Sequence, residues 1–406
     1  HDALPILFAL NFVILRPNDT LIFRAGFKKG VAFSAFQNGG LLCGESNWTE
    51  FEKQSTHLNA KKLSFFSVPV IAGGQKIGNA ADFYKHAIED IKRIKELGCN
   101  AVRFSIEWAD IEPQEAVFNE ELLKFWRAYC LALRSQGIEP MVTLYHWVHP
   151  LWFDKLGGFE RAANIAYFIR FVERVYAAIG DLVPFWCTIN EPTVVAGCGY
   201  ILGIHAPGHF LKLHTAGIVL KNLLFAHVAT YKKIKSLPGG DKAQIGFAHA
   251  LLLFGAYQHE IDLPFFGKCC WSDPLSRMTA RMMTFAFGHQ IVKRFFTKGV
   301  FEFATPVTET IRWRCPEAPN CLDFLGLNFY SEVVCAPHPT CYPNQIMTEM
   351  EYPIWPEKMY DALVESSKFG KPIYITENGL SDAKDFHRPQ FIIDYLSAVK
   401  RAIDDG

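Results

Sequence analysis

Two short stretches carry residue types that could do chemistry together: Thr188-Ile-Asn-Glu-Pro192 and Ile375-Thr-Glu-Asn-Gly379. In each, a glutamate beside an asparagine closes a strand-like run, so Glu191 and Glu377 sit where a strand gives way to a loop. Two facing carboxyl groups can divide labour, one bare and one carrying a proton. Breaking a glycosidic bond passes through an oxocarbenium-like state, so a carboxylate stabilises the developing positive charge and can capture the anomeric carbon. The other carboxyl must be protonated to help the leaving oxygen depart. Nearby strand ends add Arg103, Ile106-Glu-Trp108, Tyr145-His-Trp147 and Leu327-Asn-Phe-Tyr330. Indole faces stack on the C–H surface of a pyranose, while Asn, Gln and His read its hydroxyls more sharply than an apolar pocket could. Read singly, Glu191 could be a paired structural carboxylate, Arg103 an ion-pair partner and His146 a satisfied core histidine. Two such carboxyls with aromatic platforms and amide donors around them suit glycoside hydrolysis. Glu107 reads as structural.

Glutamates so far apart in the chain need a scaffold to bring them together, and the interior alternates strand and helix signals. Ile88, Ile91, Ile94 and Leu97 fall on one face of a helix from Asp82 to Leu97, with Gly98 as its stop. Ile165, Phe168, Ile169, Val172, Val175, Tyr176 and Ile179 form a longer apolar stripe at helical spacing, ended by Gly180. Further helices are predicted over Leu122–Gln136 and Ile218–Ile234, with a helical stretch near Met278–Phe296. Between them lie seven apolar strands, at Val31–Ala35, Ala101–Ile106, Met141–Tyr145, Pro184–Ile189, Gln244–His249, Phe324–Phe329 and Pro372–Thr376. Near-continuous apolar strands alternating with amphipathic helices predict a parallel sheet covered by helices. The fold class is therefore α/β, a (β/α)8 barrel with the eighth strand missing from this sequence. In such a barrel the chemistry gathers at the C-terminal rim of the strands, where both glutamates fall. The barrel is expected over residues 27–406, with residues 1–26 as an extra segment outside it.

Composition narrows the partners. The 406 residues are half hydrophobic, and 41 Lys+Arg balance 41 Asp+Glu. Zero net charge argues against a nucleic-acid binder. No apolar run reaches the roughly 18 residues that span a bilayer. The stretch Leu4–Leu15 resembles a signal-peptide core but lacks a preceding basic residue and a clear cleavage site, so it reads as a fragment end or as sequence outside the folded domain. The 11 cysteines cannot all pair within one chain. Cys315–Cys321 and Cys335–Cys341 are spaced too widely for ordinary zinc knuckles, and free, mostly buried thiols are expected. His205, His209 and His214 read as loop residues rather than ligands. The charge balance and the thiols lean towards a cytoplasmic setting. The sequons at Asn18 and Asn47 decide nothing.

These stretches, in this order, resemble glycoside hydrolase family 1, the retaining β-glucosidases and β-galactosidases, over Gly30 to Gly406. Thr188–Pro192 resembles the family's acid/base motif and Ile375–Gly379 its nucleophile motif. Arg103–Trp108, Leu144–Trp147, Gly203-Ile-His-Ala-Pro-Gly208 and Phe324–Tyr330 also fall in the family order. The resemblance implies Glu191 as general acid/base and Glu377 as nucleophile. It implies that Arg103 keeps Glu377 ionised and Tyr330 hydrogen-bonds it. It also implies that Gln37, His146, Trp147, Asn190 and Asn328 shape the sugar subsite, with no metal or cofactor and a small β-glycoside or oligosaccharide as substrate. Two alternatives stay open, a 6-phospho-β-glycosidase and a carbohydrate-binding pseudoenzyme. The sequence departs from the family after Gln37, where Asn38-Gly39-Gly40 lacks the usual acidic residue. The family's eighth strand, with its sugar-binding Trp and Glu, is expected beyond Gly406.

Overall fold

The computed structural model describes residues 6–7, 21–58, 71, 74–263, 267–335, 342 and 345–406. Asn18, Cys341 and most of Leu4–Leu15 lie outside the described residues. Seven strands, β1 (Gly30–Phe33), β2 (Ala101–Ser105), β3 (Glu139–Tyr145), β4 (Phe185–Asn190), β5 (Gln244–Ala250), β6 (Phe324–Asn328) and β7 (Ile373–Glu377), each pair in parallel with the next. They form a nearly closed barrel, seven of the eight strands of a (β/α)8 fold. A two-residue strand, Ile6–Leu7, lies antiparallel on the outer edge of β1, Ile6 opposite Ala32 and Leu7 opposite Val31.

Each strand is followed by a covering helix: α1 (Phe83–Glu96), α2 (Glu120–Ser135), α3 (Ile165–Ile179), α4 (Leu213–Ser236), α5 (His289–Lys298), α6 (Glu357–Ser367) and α7 (Arg388–Asp404). Asn119 caps α2 by accepting from the Leu122 N–H, and Glu120 and Glu121 in its first turn suit the positive end of the helix dipole. The apolar stripe of α3 is buried as its spacing predicts, with Phe171 added and Ile169 only half-buried. In α1 the phase differs from expectation. Phe83, Ala87, Ile91 and Ile94 face inward, whereas Ile88 is 63% exposed. A residue adjacent to Ala87 is turned about 100° round the helix, so the bulk of Phe83 sets the buried face and carries Ile88 off it.

The helical stretch near Met278–Phe296 is two helices, Pro274–Ala286 and α5, broken at Gly288 with φ 53°. A hairpin, Val300–Thr305 with Thr308–Arg314, follows α5 before β6.

Two irregularities in the barrel matter for what it displays. Between Cys187 and Asn190 the register of β4 against β5 shifts by a residue, and β6 against β7 shifts between Leu327 and Asn328. Such bulges re-aim side chains that strict alternation would turn the other way. The first lets Cys187 and Asn190 both reach the guanidinium of Arg103, and the second puts Asn328 opposite Glu377.

Candidate active site

The rim of the barrel gathers one buried polar network. Arg103, pointing inward from β2, is 6% exposed and organises it. Its Nη1 donates to Glu377 Oε1 at 2.6 Å and to the Thr376 carbonyl at 3.2 Å. Its Nε donates to Thr143 Oγ1 at 2.9 Å and its Nη2 to Asn190 Oδ1 at 2.6 Å. The second oxygen of Glu377 accepts from the Tyr330 hydroxyl at 2.7 Å. On the other side, Asn328 Nδ2 donates to Glu191 Oε1 at 2.7 Å and to Asn190 Oδ1 at 3.0 Å. Thr376 Oγ1 in turn donates to Asn328 Oδ1 at 2.7 Å, which fixes the amide's orientation. His146 Nε2 lies 3.3 Å from Asn190 Nδ2 and accepts its hydrogen.

Two backbone positions are strained to build this arrangement. Glu191 has φ 50° and opens the short helix Pro192–Ala196, and Trp147 has φ 72°. Left-handed backbone is costly for residues with a Cβ and persists only when neighbours over-determine it. Trp147 is held from three directions. Its indole N–H donates to the Asn190 carbonyl at 3.1 Å, and its own carbonyl accepts from Asn47 Nδ2 at 3.0 Å and Trp48 Nε1 at 3.2 Å. The rings of Trp48, Trp147 and His205 pack together above it. Asn47 is thus buried and committed, its Oδ1 also accepting from the His149 N–H at 3.0 Å.

The two glutamates are set to opposite charge states. Burial alone would push the Glu377 carboxyl up, but the charge of Arg103, with help from His146 and Tyr330, holds it below the usual range. Burial pushes Glu191 up, and the negative charge of Glu377 adds to that. Asn328 and Arg103 offset only part, leaving Glu191 at about 8. His146 is lowered by burial to about 4 and is neutral at neutral pH. Tyr330 is raised by burial and by both carboxylates, so it stays a donor.

Of the nine residues singled out in the sequence, eight meet here: Glu191, Glu377, Arg103, Tyr330, His146, Asn190 and Asn328, with Trp147 joined through Asn190. Gln37 does not share their contacts. Its side chain is exposed and makes no hydrogen bond to any described residue. Thr143 and Thr376 were not singled out, although both lie on strands already assigned to the rim. Glu107 makes no hydrogen bond to this network among the described residues. It is buried and accepts from Ser105 Oγ at 3.0 Å and the Phe36 N–H at 3.2 Å, while burial and the nearby Asp110 push it up to about 8. Cys315, Cys321 and Cys335 are free and buried, as are Cys130, Cys187 and Cys198; Cys99 is also buried, whereas Cys43 is exposed. A surface groove of about 750 Å³ between α2 and α3 contains no member of the network, and its arginines are engaged, Arg127 with Asp181 and Arg174 with Glu120.

A barrel whose rim holds one carboxyl ionised and a second one protonated suits a glycosidase. The model of glycosyl hydrolase family 1 matches residues 20–259, and the chain belongs to that family. It is 30% identical to beta-glucosidase A of Acetivibrio thermocellus over 424 residues, covering 95% of this chain and 87% of that protein. It is likewise 30% identical to beta-glucosidase A of Thermotoga maritima, covering 95% of this chain and 86% of that one. Among solved structures, a beta-glycosidase from Pyrococcus horikoshii superposes with a TM-score of 0.75 at 28% identity, covering 95% of this chain and 82% of that one. The Thermotoga maritima beta-glucosidase in complex with cyclophellitol gives 0.74 at 26% identity over 95% of this chain and 86% of that one. The protein is therefore a glycoside hydrolase of family 1.

Proposed function

We propose that the protein hydrolyses β-D-glucosides and β-D-galactosides with retention of anomeric configuration, through a covalent glycosyl-enzyme. The observation that carries this reading is the opposite setting of the two carboxyls within one network. Glu377 is the nucleophile, with both oxygens occupied by donors and its charge sustained by Arg103. Glu191 is the general acid/base, protonated at neutral pH because it is buried and faces that charge.

The steps follow from coupled charges. Glu377 attacks the anomeric carbon while Glu191 gives its proton to the leaving oxygen, and the aglycone departs as an alcohol. Esterification removes the charge of Glu377, so the affinity of Glu191 for a proton falls. Glu191 then takes a proton from water, whose oxygen attacks the anomeric carbon and releases Glu377 as a carboxylate. Arg103 and Tyr330 move no proton in this scheme; they hold the nucleophile. Gln37, neutral His146, Trp147, Asn190 and Asn328 line the glycone subsite and read its hydroxyls. Residues 27–406 act as one catalytic unit, and the free, buried thiols of Cys130, Cys187, Cys198, Cys315, Cys321 and Cys335 accord with a cytoplasmic setting.

A second reading, a 6-phospho-β-glycosidase, draws on the 26% identity to the 6-phospho-beta-galactosidase of Clostridium acetobutylicum over 80% of this chain. One experiment separates them: hydrolysis of p-nitrophenyl β-glucoside, β-galactoside, β-fucoside and the 6-phosphorylated glycosides by the purified protein. Higher kcat/KM on the plain sugars is expected, and activity confined to the phosphorylated ones replaces the first reading. Sugar binding by calorimetry, with hydrolysis of none of these substrates, is the result a pseudoenzyme would give.

A further inference from the structure

Gln37 stands apart from the rest of the candidate site, held by its backbone alone, and the structure shows what holds that backbone. Asp110 follows β2 in the short helix Trp108–Ile111 and is completely buried. Its Oδ1 accepts three successive backbone N–H groups, Leu42 at 3.0 Å, Cys43 at 2.9 Å and Gly44 at 3.0 Å, and its Oδ2 shares the Leu42 hydrogen at 3.0 Å. Successive N–H groups converging in this way form an anion-binding nest. Here the anion is the protein's own carboxylate. The approach is close enough to demand glycine, since a Cβ on Gly44 would sit 2.1 Å from the Ala109 carbonyl oxygen. Gln37 itself lies in the short helix Ala35–Gly39, where Ser34 Oγ caps the first turn by accepting the Gln37 N–H at 3.2 Å and Glu107 Oε1 accepts the N–H of Phe36. The helix and the nest that follows it are thus fastened on both sides of Gln37 by two acids from one neighbouring strand end.

We propose that Asp110 is a positioning residue for the reaction, anchoring the chain that follows the short helix Ala35–Gly39 and so the helix that presents the Gln37 amide to the sugar. This deepens the reading above and rests on its placement of Gln37 in the glycone subsite. The physical case is one of entropy and charge. An exposed glutamine with no side-chain partner among the described residues can read a hydroxyl well only if its backbone is already ordered. Charge-assisted hydrogen bonds to a buried carboxylate supply that order more strongly than neutral ones could.

The test is a double-mutant cycle on the full chain, with kcat and KM for p-nitrophenyl β-glucoside. Asp110→Asn removes the charge that gathers the three N–H groups, and Gln37→Ala removes the presented amide. Each single variant is expected to raise KM about tenfold with kcat changed less than about threefold, as loss of ground-state positioning requires. In the Gln37→Ala background, Asp110→Asn should then add less than about threefold. Additive losses, or a normal KM in folded Asp110→Asn, overturn the role of Asp110. A normal KM in Gln37→Ala overturns the Gln37 placement and the positioning role with it. Should Asp110→Asn not fold, Gly44→Ala substitutes for it, because its Cβ displaces the nest from the carboxylate without altering any charge. Amide exchange in residues 41–45 should accelerate in either variant while the barrel strands stay protected. An unchanged KM with accelerated exchange in Gly44→Ala also overturns the proposal.

Discussion

Arg103 Nη1 lies 2.6 Å from Glu377 Oε1, with the Arg103 side chain buried and that of Glu377 largely so, 7% and 12% exposed. The ion pair joins the second strand to the seventh across the barrel. It ties the charge of one glutamate to the architecture of the whole sheet, because Arg103 is itself fixed by Thr143 from β3 and Asn190 from β4.

Removing that cation should shift the acid limb of activity. In the proposed mechanism Glu377 works as a carboxylate, so kcat/KM should rise with pH as it ionises, with Arg103 keeping this limb at low pH. In Arg103→Met the carboxyl remains buried without its partner, so the limb moves upward. Truncating one partner of a buried pair costs about 3–5 kcal/mol, so kcat/KM at neutral pH should fall by at least about a hundredfold. A pH–rate profile of kcat/KM checks this; an acid limb in its wild-type place removes Arg103 from the scheme.

Glu191 should set the opposite limb. In the proposed mechanism activity requires its proton and should be lost as pH rises through about 8. Glu191→Gln should abolish this limb. It should also slow glycosides with poor leaving groups by about 10²–10⁴, while activated aryl glycosides that leave unaided suffer less in the first step. Azide, needing no general base, should restore turnover on the activated substrates and give the β-glycosyl azide. Equal losses on all leaving groups would leave Glu191 without a proton-transfer role. For the nucleophile, Glu377→Gly should nearly abolish turnover, with azide giving the α-glycosyl azide, and full activity in that variant reassigns the role.

Much of this was legible in the sequence because strands and helices announce themselves by period. The α3 stripe and the seven strands did so, and each rim residue follows from its place at a strand end. The network's wiring was not legible. Cys187 and Asn190 converge on one guanidinium only because a bulge breaks the alternation between them, and no residue type in that run marks the shift. The exposure of Ile88 was missed because periodicity alone allows two phases for α1, and only the packing of Phe83 selects one. The nest around Asp110 was hidden for another reason: backbone N–H groups carry no sequence label.

His227 offers a test of stability at low pH. It is buried between α4 and β4, with Nε2 2.6 Å from the Cys321 carbonyl and Nδ1 2.7 Å from Thr188 Oγ1. The carbonyl can only accept, so Nε2 carries the hydrogen, and Nδ1 accepts from the threonine hydroxyl. Protonation would spoil the second bond, and burial lowers the group to about 4. The unfolded chain therefore binds a proton that the folded chain refuses between about pH 6.5 and 4, and stability falls across that window as pH falls. The melting temperature of the wild type should drop from pH 7 to pH 4.5, and the drop should shrink in His227→Gln. An equal drop in both would place the acid sensitivity elsewhere.

Glu107 should act at the alkaline end. Its folded value of about 8 lies above the ordinary 4.5, so the folded chain holds a proton that the unfolded chain has released. The stability this contributes is complete below about pH 4.5 and is lost as pH rises through about 8. Above that, the fold must carry a buried carboxylate close to Asp110. In Glu107→Gln the amide oxygen can still accept from Ser105 and Phe36, and the charge never forms. The variant should therefore melt higher than the wild type at pH 9, by about 1 °C for each kcal/mol relieved in a chain of this length, with the difference narrowing towards pH 5. Melting curves at the two pH values decide it. A difference independent of pH would mean that Glu107 keeps one charge state throughout, and that burial beside Asp110 costs the fold nothing extra in alkali.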